Sequence, residues 1–137
     1  MLGAAEPVLT GLRVLVVDDE ADARDVIAEL LGDAGARVQT ASSVDEALRS
    51  VDASRPDAIV SDIGMPKRDG YSFIHELRTS ALHRAQAVPV IAFTAFDGAI
   101  DRTLALRSGF TSHVSKTDST DLATAVASAI GRNVAAS

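Results

Sequence analysis

Residues 14–20 read Val-Leu-Val-Val-Asp-Asp-Glu, an apolar run that ends in three consecutive carboxylates. A short apolar run rich in β-branched residues is typical of a buried strand. Adjacent carboxylates repel one another and each resists leaving water, so a buried strand that ends in them needs a compensating partner. One candidate is the positive end of a following helix, which favours acidic residues by roughly 0.3–1 kcal/mol. The other is a cation bound where the strand ends.

Length and composition indicate a single globular domain. The chain has 137 residues, of which 47% are hydrophobic and 23% charged. Its net charge of −6 argues against a nucleic-acid-binding face and against an anionic membrane surface. It has no cysteine, which excludes disulfides and thiolate metal sites, and no apolar run approaches the roughly 18 residues of a membrane span. We therefore expect a cytoplasmic protein with an N-terminal extension over 1–10, a domain over 11–131 and a C-terminal tail over 132–137.

Short apolar runs alternate with segments of helical spacing along the whole chain. The predicted strands are Arg13–Val17, Val38–Thr40, Ala58–Ser61, Val88–Phe93 and His113–Ser115. The predicted helices cover Ala21–Ala34, Val44–Val51, Tyr71–Leu77, Ala99–Arg107 and a last segment that opens at Asp118 or Ser119 and runs to Ile130. Ser42 or Ser43 is expected to cap the second helix, because Glu46 follows Ser43 at the spacing of a capping box. The predicted apolar stripes include Val26 on the first helix and Ile100, Leu104 and Leu106 on the fourth.

Strict strand–helix alternation favours a parallel sheet with helices on both faces. Right-handed crossovers leave few topologies open. We predict an α/β fold of the doubly wound, flavodoxin-like type, (βα)5, with five parallel strands in the order 2-1-3-4-5. In such sheets ligands bind beyond the carboxyl ends of the strands, where the strand order reverses between strands 1 and 3.

Polar side chains follow these strands at the edge where ligands bind. Strand 1 is followed by Asp18 and Asp19, strand 3 by Asp62, strand 4 by Thr94 and strand 5 by Lys116. Converging carboxylates with no histidine or cysteine suit Mg²⁺ or Mn²⁺. A metal, an ammonium and a hydroxyl around one further carboxylate form a site for a phosphoryl group, because each neutralises or binds phosphoryl oxygens. Aspartate carboxylates act as nucleophiles in phosphoryl transfer, and Asp62 on the central strand is the natural candidate.

Four motifs in order carry a resemblance to a known family. They are VLVVDDE at 14–20, SDIGMPKRDG at 61–70, IAFTA at 91–95 and GFTSHVSK at 109–116. With them the chain resembles the receiver domain of two-component response regulators over about residues 12–131. The resemblance implies the flavodoxin-like fold and a phosphoacceptor function, with a sensor histidine kinase or a histidine phosphotransfer protein as the phosphoryl donor.

Carried over residue by residue, the resemblance implies a metal site around the phosphoacceptor. Asp62 would accept the phosphoryl group. Asp19, the Asp62 carboxylate and the backbone carbonyl of Gly64 would ligate Mg²⁺, or Mn²⁺ in its place, while Asp18 would act close to the metal through water.

The remaining implied roles concern the phosphoryl oxygens and the response to phosphorylation. Thr94 and Lys116 would each hold a phosphoryl oxygen. Thr94 with His113 would form a switch that is read by an output partner on the face of helix 4, strand 5 and helix 5.

The chain departs from the usual pattern of the family at two positions. Thr117 follows Lys116 where the family usually has proline after a cis bond, and a cis bond to a non-proline residue costs about 2.5–4 kcal/mol. His113 replaces the commoner tyrosine or phenylalanine and is titratable.

Three classes of function compete for this set of residues. The first is a signalling module that catalyses only its own phosphorylation and slow dephosphorylation, and we favour it. The second is a Mg²⁺-dependent phosphohydrolase that turns over through aspartyl phosphate, which usually needs an acidic residue where this chain has Gly64. The third is a flavodoxin-like cofactor binder, which needs a hydroxyl- or glycine-rich phosphate loop where this chain has acidic residues. A stand-alone receiver and a receiver from a hybrid histidine kinase both stay open.

Overall fold

The structure is a computed structural model that describes residues 7–65, 68–79, 87–95, 98–117 and 121–131. Its strands are β1 (Arg13–Val17), β2 (Arg37–Ala41), β3 (Ala58–Ser61), β4 (Val90–Thr94) and β5 (Ser112–Ser115). Its helices are α1 (Ala21–Asp33), α2 (Val44–Ser54), α3 (Gly70–Thr79), α4 (Ala99–Ser108) and α5 (Leu122–Ala129). The five strands form one parallel sheet in the order β2-β1-β3-β4-β5, which confirms the predicted topology.

The central strands β1, β3 and β4 are buried on both faces, as their continuous apolar sequences require. On one face, side chains such as Leu15 and Ile59 pack against α2, α3 and α4. On the other face, Val16, Val60 and Phe93 pack against α1 and α5. Because the central strands are covered from both sides, the polar groups that follow them are held on a rigid base.

The start of α2 confirms the predicted cap with one change. The Ser43 hydroxyl accepts a hydrogen bond from the Glu46 N–H at 3.2 Å. The Glu46 carboxylate accepts hydrogen bonds from the N–H and the hydroxyl of Ser42, and not from the Ser43 N–H as in a standard capping box. The backbone hydrogen bond from Ser42 lowers the pKa of Glu46, since it stabilises the carboxylate. The predicted start of the last helix at Asp118 or Ser119 lies outside the described residues.

The predicted stripe of α1 is buried at Ile27 and Leu31 but not at Val26, and the predicted stripe of α4 is wrong. Val26 on α1 is 62% exposed and Ile100 on α4 is 84% exposed. Leu104 and Leu106 are also exposed, and α4 faces the sheet with the small side chain of Ala105 instead. Helical spacing identifies a stripe but does not say which stripe faces the sheet. A small residue such as alanine lets the helix approach closely, and Phe110 fills the space beside it.

The packed core extends further toward the N-terminus than the predicted boundary at residue 11. Leu9 is fully buried, and its N–H donates to the Ala34 carbonyl at 2.8 Å. Gly35, at φ +102°, allows this close approach, because a Cβ at this position would lie only 2.7 Å from the Thr10 hydroxyl. Val8 and Leu9 form too short an apolar run, between Pro7 and Thr10, to give a periodic signal, so the sequence does not reveal that Leu9 packs. Residues 1–6 and 132–137 lie outside the described part of the chain.

The longest helix among the described residues is α1, with 13 residues. Within those residues no helix has the length and apolar character needed to cross a bilayer.

Candidate functional site

Three carboxylates meet at the carboxyl ends of β1 and β3. Oxygens of Asp18, Asp19 and Asp62 all lie within 4.8 Å of one another. The backbone of two of these residues continues the hydrogen bonding of the sheet. The Asp18 N–H donates to the Ala41 carbonyl at 3.1 Å, and the Asp62 N–H donates to the Val17 carbonyl at 2.9 Å. The structure therefore brings together the acidic residues that the strand order predicts at this edge.

Asp18 is a buried carboxylate with a partner on each oxygen. Its Oδ1 accepts from the Glu20 N–H at 3.0 Å, and its Oδ2 accepts from Lys116 Nζ at 2.7 Å. A buried charge is tolerated only when it is paired and hydrogen-bonded, and both conditions are met here. Asp18 thus anchors the ammonium group within the cluster.

Asp62 is more accessible than Asp18, with 11% of its side chain exposed against 1%. Its Oδ1 accepts from the Ile63 N–H at 2.8 Å, and its Oδ2 lies 3.2 Å from Lys116 Nζ. The Ser61 hydroxyl donates to the Asp62 backbone carbonyl at 2.8 Å. The carboxylate is thus held in one orientation while its side chain still reaches the surface.

Lys116 reaches the cluster although Thr117 follows it in place of proline. The Lys116 N–H donates to the Thr94 carbonyl at 3.0 Å, and the Thr117 N–H donates to the Ser115 hydroxyl at 3.1 Å. None of the described peptide bonds is cis. The turn after β5 is therefore closed by local hydrogen bonds, and it directs the ammonium group onto Asp18 and Asp62.

The net effect of these contacts is to raise the pKa of Lys116. Burial alone would lower the pKa, but the hydrogen bond with Asp18 and the charge of Asp62 outweigh it. Lys116 therefore stays protonated at neutral pH and loses its proton only at a pH above the ordinary lysine value of 10.5.

Replacing Lys116 by methionine is expected to destabilise the protein by about 3 kcal/mol at pH 7, because two close carboxylates lose their shared cation. The raised pKa of Lys116 sets the pH dependence. The stabilisation that the Lys116 ion pairs provide is fully present below pH 10.5, the pKa of lysine in the unfolded chain. It is lost as the pH rises through the higher pKa of Lys116 in the folded protein. Urea unfolding of both proteins between pH 7 and pH 11.5 measures this dependence.

Arg49→Met on the exposed face of α2 is the control for this substitution and is expected to change stability little. A difference between wild type and Lys116→Met that stays constant up to the highest pH would contradict the role of the ion pairs.

The donor set of the cluster fits a hard divalent cation. Carboxylate oxygens are the ligands that Mg²⁺ prefers, and one ammonium leaves three clustered carboxylates incompletely neutralised. Among the described residues no hydrogen bond or ion pair holds the Asp19 carboxylate, which leaves it available as a ligand. The carbonyl of Gly64 stays a predicted ligand.

Asp19→Asn is expected to stabilise the metal-free protein by on the order of 1 kcal/mol, because it removes repulsion from Asp18 and Asp62. The melting temperature without Mg²⁺ should rise by about 3 °C, and the response to added Mg²⁺ should be lost. Asp25→Asn, at an exposed position on α1, controls for the change of one charge. A fall in melting temperature with the Mg²⁺ response intact would mean that Asp19 is structural.

Thr94 and His113 lie on the strands that flank the cluster. Thr94 is buried at the carboxyl end of β4, opposite Ser115 in the strand register. His113 is only 6% exposed and lies opposite Ala92, on the sheet face that α4 covers. Its carbonyl accepts from the Arg102 guanidinium at 3.3 Å. His113 is therefore buried in this structure.

Two contacts next to the cluster are not predicted from the sequence. Arg24 on α1 donates from Nη1 to the Asp18 backbone carbonyl at 2.9 Å. Gly70, the first residue of α3, packs directly against the backbone of Asp62 and Ile63. Arg24 follows the acidic run by one helical turn, which is the only hint that the sequence offers. Gly70 is part of the motif at 61–70, but spacing does not reveal its contact.

Comparison with known proteins identifies relatives over most of the chain. The response regulator receiver domain family matches residues 14–127. The transcriptional regulatory protein PrrA of Mycobacterium tuberculosis is 42% identical over 101 residues, which are 74% of this chain and 42% of PrrA. Hybrid signal transduction histidine kinase D of Dictyostelium discoideum is 36% identical over 114 residues, or 79% of this chain and 7% of the kinase. The chain thus spans less than half of either relative.

Solved structures extend the likeness to the fold. A response regulator receiver domain from Francisella has a TM-score of 0.79 at 27% identity and covers 88% of this chain and 97% of its own. The receiver domain of the histidine kinase CKI1 from Arabidopsis thaliana, complexed with Mg²⁺ and BeF₃⁻, has a TM-score of 0.77 at 27% identity. It covers 90% of this chain and 93% of its own.

Proposed function

The chain belongs to the response regulator receiver domain family of two-component signalling, and from that membership we propose that Asp62 is its phosphoacceptor. The observation that carries the proposal is the position of the Asp62 carboxylate. It is partly accessible, lies within 4.8 Å of two further carboxylates and faces the ammonium of Lys116. With a divalent cation held by the carboxylates, this arrangement would suit a dianionic phosphoryl group, because the cation and the Lys116 ammonium would flank a nucleophile that reaches the surface.

The proposed reaction transfers a phosphoryl group from a phosphohistidine to Asp62. A carboxylate oxygen of Asp62 attacks phosphorus and forms a P–O bond, while the P–N bond breaks and its electron pair stays on the imidazole nitrogen. Lys116 and the Thr94 hydroxyl bind phosphoryl oxygens, and the Ile63 N–H holds the other carboxylate oxygen in place. Bound Mg²⁺, or Mn²⁺, held by Asp19, Asp62 and the Gly64 carbonyl with Asp18 nearby, would neutralise charge on the phosphoryl oxygens. The CKI1 receiver, solved with Mg²⁺ and BeF₃⁻, supports this assignment.

The function is that of a signalling module, and phosphohydrolase turnover is not favoured. Gly64, two positions after Asp62, has no side chain that could act as an acid or base in hydrolysis. We therefore propose that the domain catalyses only its own phosphorylation and a slow dephosphorylation.

Incubation of the intact protein with a small acyl phosphate and Mg²⁺, followed by mass spectrometry, tests the proposed reaction. One phosphoryl adduct is expected, absent when EDTA replaces Mg²⁺ and removed by hydroxylamine, which cleaves acyl phosphates. A protein that forms no adduct, or that forms it equally with EDTA, would overturn the proposed function. Steady release of phosphate in large excess over protein would favour the phosphohydrolase instead.

The proposed partners follow from the family. The donor would be a sensor histidine kinase or a histidine phosphotransfer protein in the cytoplasm, with no direct contact of this domain with nucleic acid or a membrane. For the output partner we propose the face of α4, β5 and α5. On α4 this face offers exposed apolar side chains, among them Ile100 and Leu104. Exposed apolar side chains grouped on one helix are typical of a protein-binding surface.

Addition of beryllofluoride and Mg²⁺ is expected to change backbone amide NMR shifts from Ala95 to Lys116 as well as near Asp62. A phosphoryl group at Asp62 would draw the Thr94 hydroxyl toward it and shift the packing of His113 beneath α4, which moves a pre-existing equilibrium. Beryllofluoride without Mg²⁺ is the control. Changes confined to the neighbours of Asp62 would contradict a switch through Thr94 and His113.

A further inference from the structure

Arg24 links α1 to the backbone between the two acidic residues that follow β1. Its own N–H donates to the Glu20 carbonyl at 2.9 Å as part of the first turn of the helix. Its Nη1 donates to the Asp18 carbonyl at 2.9 Å in a partly buried setting. The guanidinium group is thus held near the acidic cluster without pairing with any of its carboxylates among the described residues.

The carbonyl that Arg24 binds belongs to the peptide group that joins Asp18 to Asp19. A peptide group is planar, so fixing its carbonyl also fixes the direction in which the chain enters Asp19. Asp18 itself is already held, at its N–H by Ala41 and at its carboxylate by Glu20 and Lys116. For the Asp19 carboxylate, the described residues provide no comparable partner. Arg24 therefore holds the peptide group that leads into Asp19, while the Glu20 N–H, bonded to the Asp18 carboxylate, holds the one that follows it.

The charge of Arg24 and its hydrogen bond have opposite effects on a bound cation. As a positive charge close to the cluster, Arg24 would repel Mg²⁺ and weaken its binding. As a clamp on the Asp18–Asp19 peptide, it would pre-organise a ligand and strengthen binding. The carbonyl contact is direct and partly buried, whereas a charge near solvent is screened, so the clamp should dominate.

We propose that Arg24 is a positioning residue for the divalent cation and holds the Asp18–Asp19 peptide so that the Asp19 carboxylate points into the site. This role rests on the proposed function, because it requires that Asp19 binds Mg²⁺. Helix α1 would thus take part in metal binding through Arg24 and not through the acidic residue of its first turn.

Titration of the unphosphorylated full chain with Mg²⁺, by calorimetry and by the amide shift of Asp19, tests the proposal without a phosphoryl donor. Arg24→Met is expected to weaken Mg²⁺ binding by about tenfold, the effect typical of removing a group that orients a metal ligand. Arg24→Lys keeps a donor and a charge and should restore most of the affinity. Arg49→Met on α2 removes a charge that, like that of Arg24, acts on Glu46, and it should leave Mg²⁺ binding unchanged.

Tighter Mg²⁺ binding by Arg24→Met would show that only its charge matters and would overturn the proposal, as would equal binding by all four proteins. If Arg24→Met does not fold, Arg24→Gln takes its place, because its shorter side chain cannot make the bond of Arg24 to the Asp18 carbonyl, and Mg²⁺ binding equal to that of the wild type would then overturn the proposal. If the wild type is phosphorylated on Asp62 but the Arg24 variants bind Mg²⁺ as tightly as it does, the positioning role of Arg24 is overturned and the proposed function stands. A wild type that binds no Mg²⁺ and forms no adduct would overturn both.

Discussion

Asp62→Asn is expected to abolish the phosphoryl adduct completely. An amide oxygen is not a nucleophile toward phosphorus, so the reaction loses its acceptor while the shape of the side chain is kept. The Ile63 N–H can still donate to the amide oxygen, and Lys116 keeps its hydrogen bond with Asp18. The variant should therefore fold and lack only the chemistry. Intact-mass analysis after incubation with acyl phosphate and Mg²⁺ measures the adduct.

Asp25→Asn is the matched control, because it makes the same chemical change at an exposed position on α1. It should form the adduct as the wild type does. An adduct on Asp62→Asn with the wild-type yield would place the acceptor at another residue, and the proposed assignment of Asp62 would be wrong.

Gly70→Ala is expected to impair the site from outside the cluster. A Cβ at Gly70 would lie 2.5 Å from the Asp62 carbonyl oxygen and 2.7 Å from the Ile63 Cα, and both neighbours are backbone atoms that cannot rotate away. The Gly70 N–H also donates to the Ile63 carbonyl at 2.8 Å, so helix α3 cannot withdraw without losing this bond. Overpacking of this kind costs about 1–3 kcal/mol. Displacement of the Asp62 backbone should slow phosphorylation by roughly 100-fold.

Gly32→Ala provides the control for the glycine-to-alanine change itself. Gly32 lies in α1, and a Cβ there would meet no atom within 4 Å, so alanine should stabilise the protein by roughly 0.5–1 kcal/mol. Urea unfolding and the rate of adduct formation are measured on both variants. A wild-type phosphorylation rate in Gly70→Ala would mean that the close approach of α3 does not position Asp62.

The sequence predicts the sheet and the acidic cluster because both depend on strong local signals. β1 and β3 have the predicted bounds, because short runs of apolar β-branched residues strongly favour a buried strand. Once the strand order is known, the carboxyl ends of neighbouring strands must meet, which places Asp18 beside Asp62. Lys116 follows from the same rule, although it lies 98 positions from Asp18.

The features that escape prediction depend on the direction of individual side chains. The stripe of Ile100 and Leu104 has the correct period, but periodicity does not distinguish the sheet from solvent. Leu9 is buried in the apolar cluster of α1 and α5, and its backbone is bonded to the end of α1, neither of which its own sequence neighbours indicate. The bond from Arg24 to a backbone carbonyl uses a long, flexible side chain, and no spacing rule identifies its acceptor.

The ion pair between Lys116 and Asp18 also has a consequence for folding kinetics. It joins the first strand to the last, across most of the domain, and contacts of such high sequence separation form late because a long loop must close before they are gained. A chain in which β5 has not yet docked lacks the ammonium that neutralises the cluster. Under the proposed function, competence for phosphoryl transfer would thus arise only with completion of the sheet, and a partly folded or nascent chain would not react with its donor.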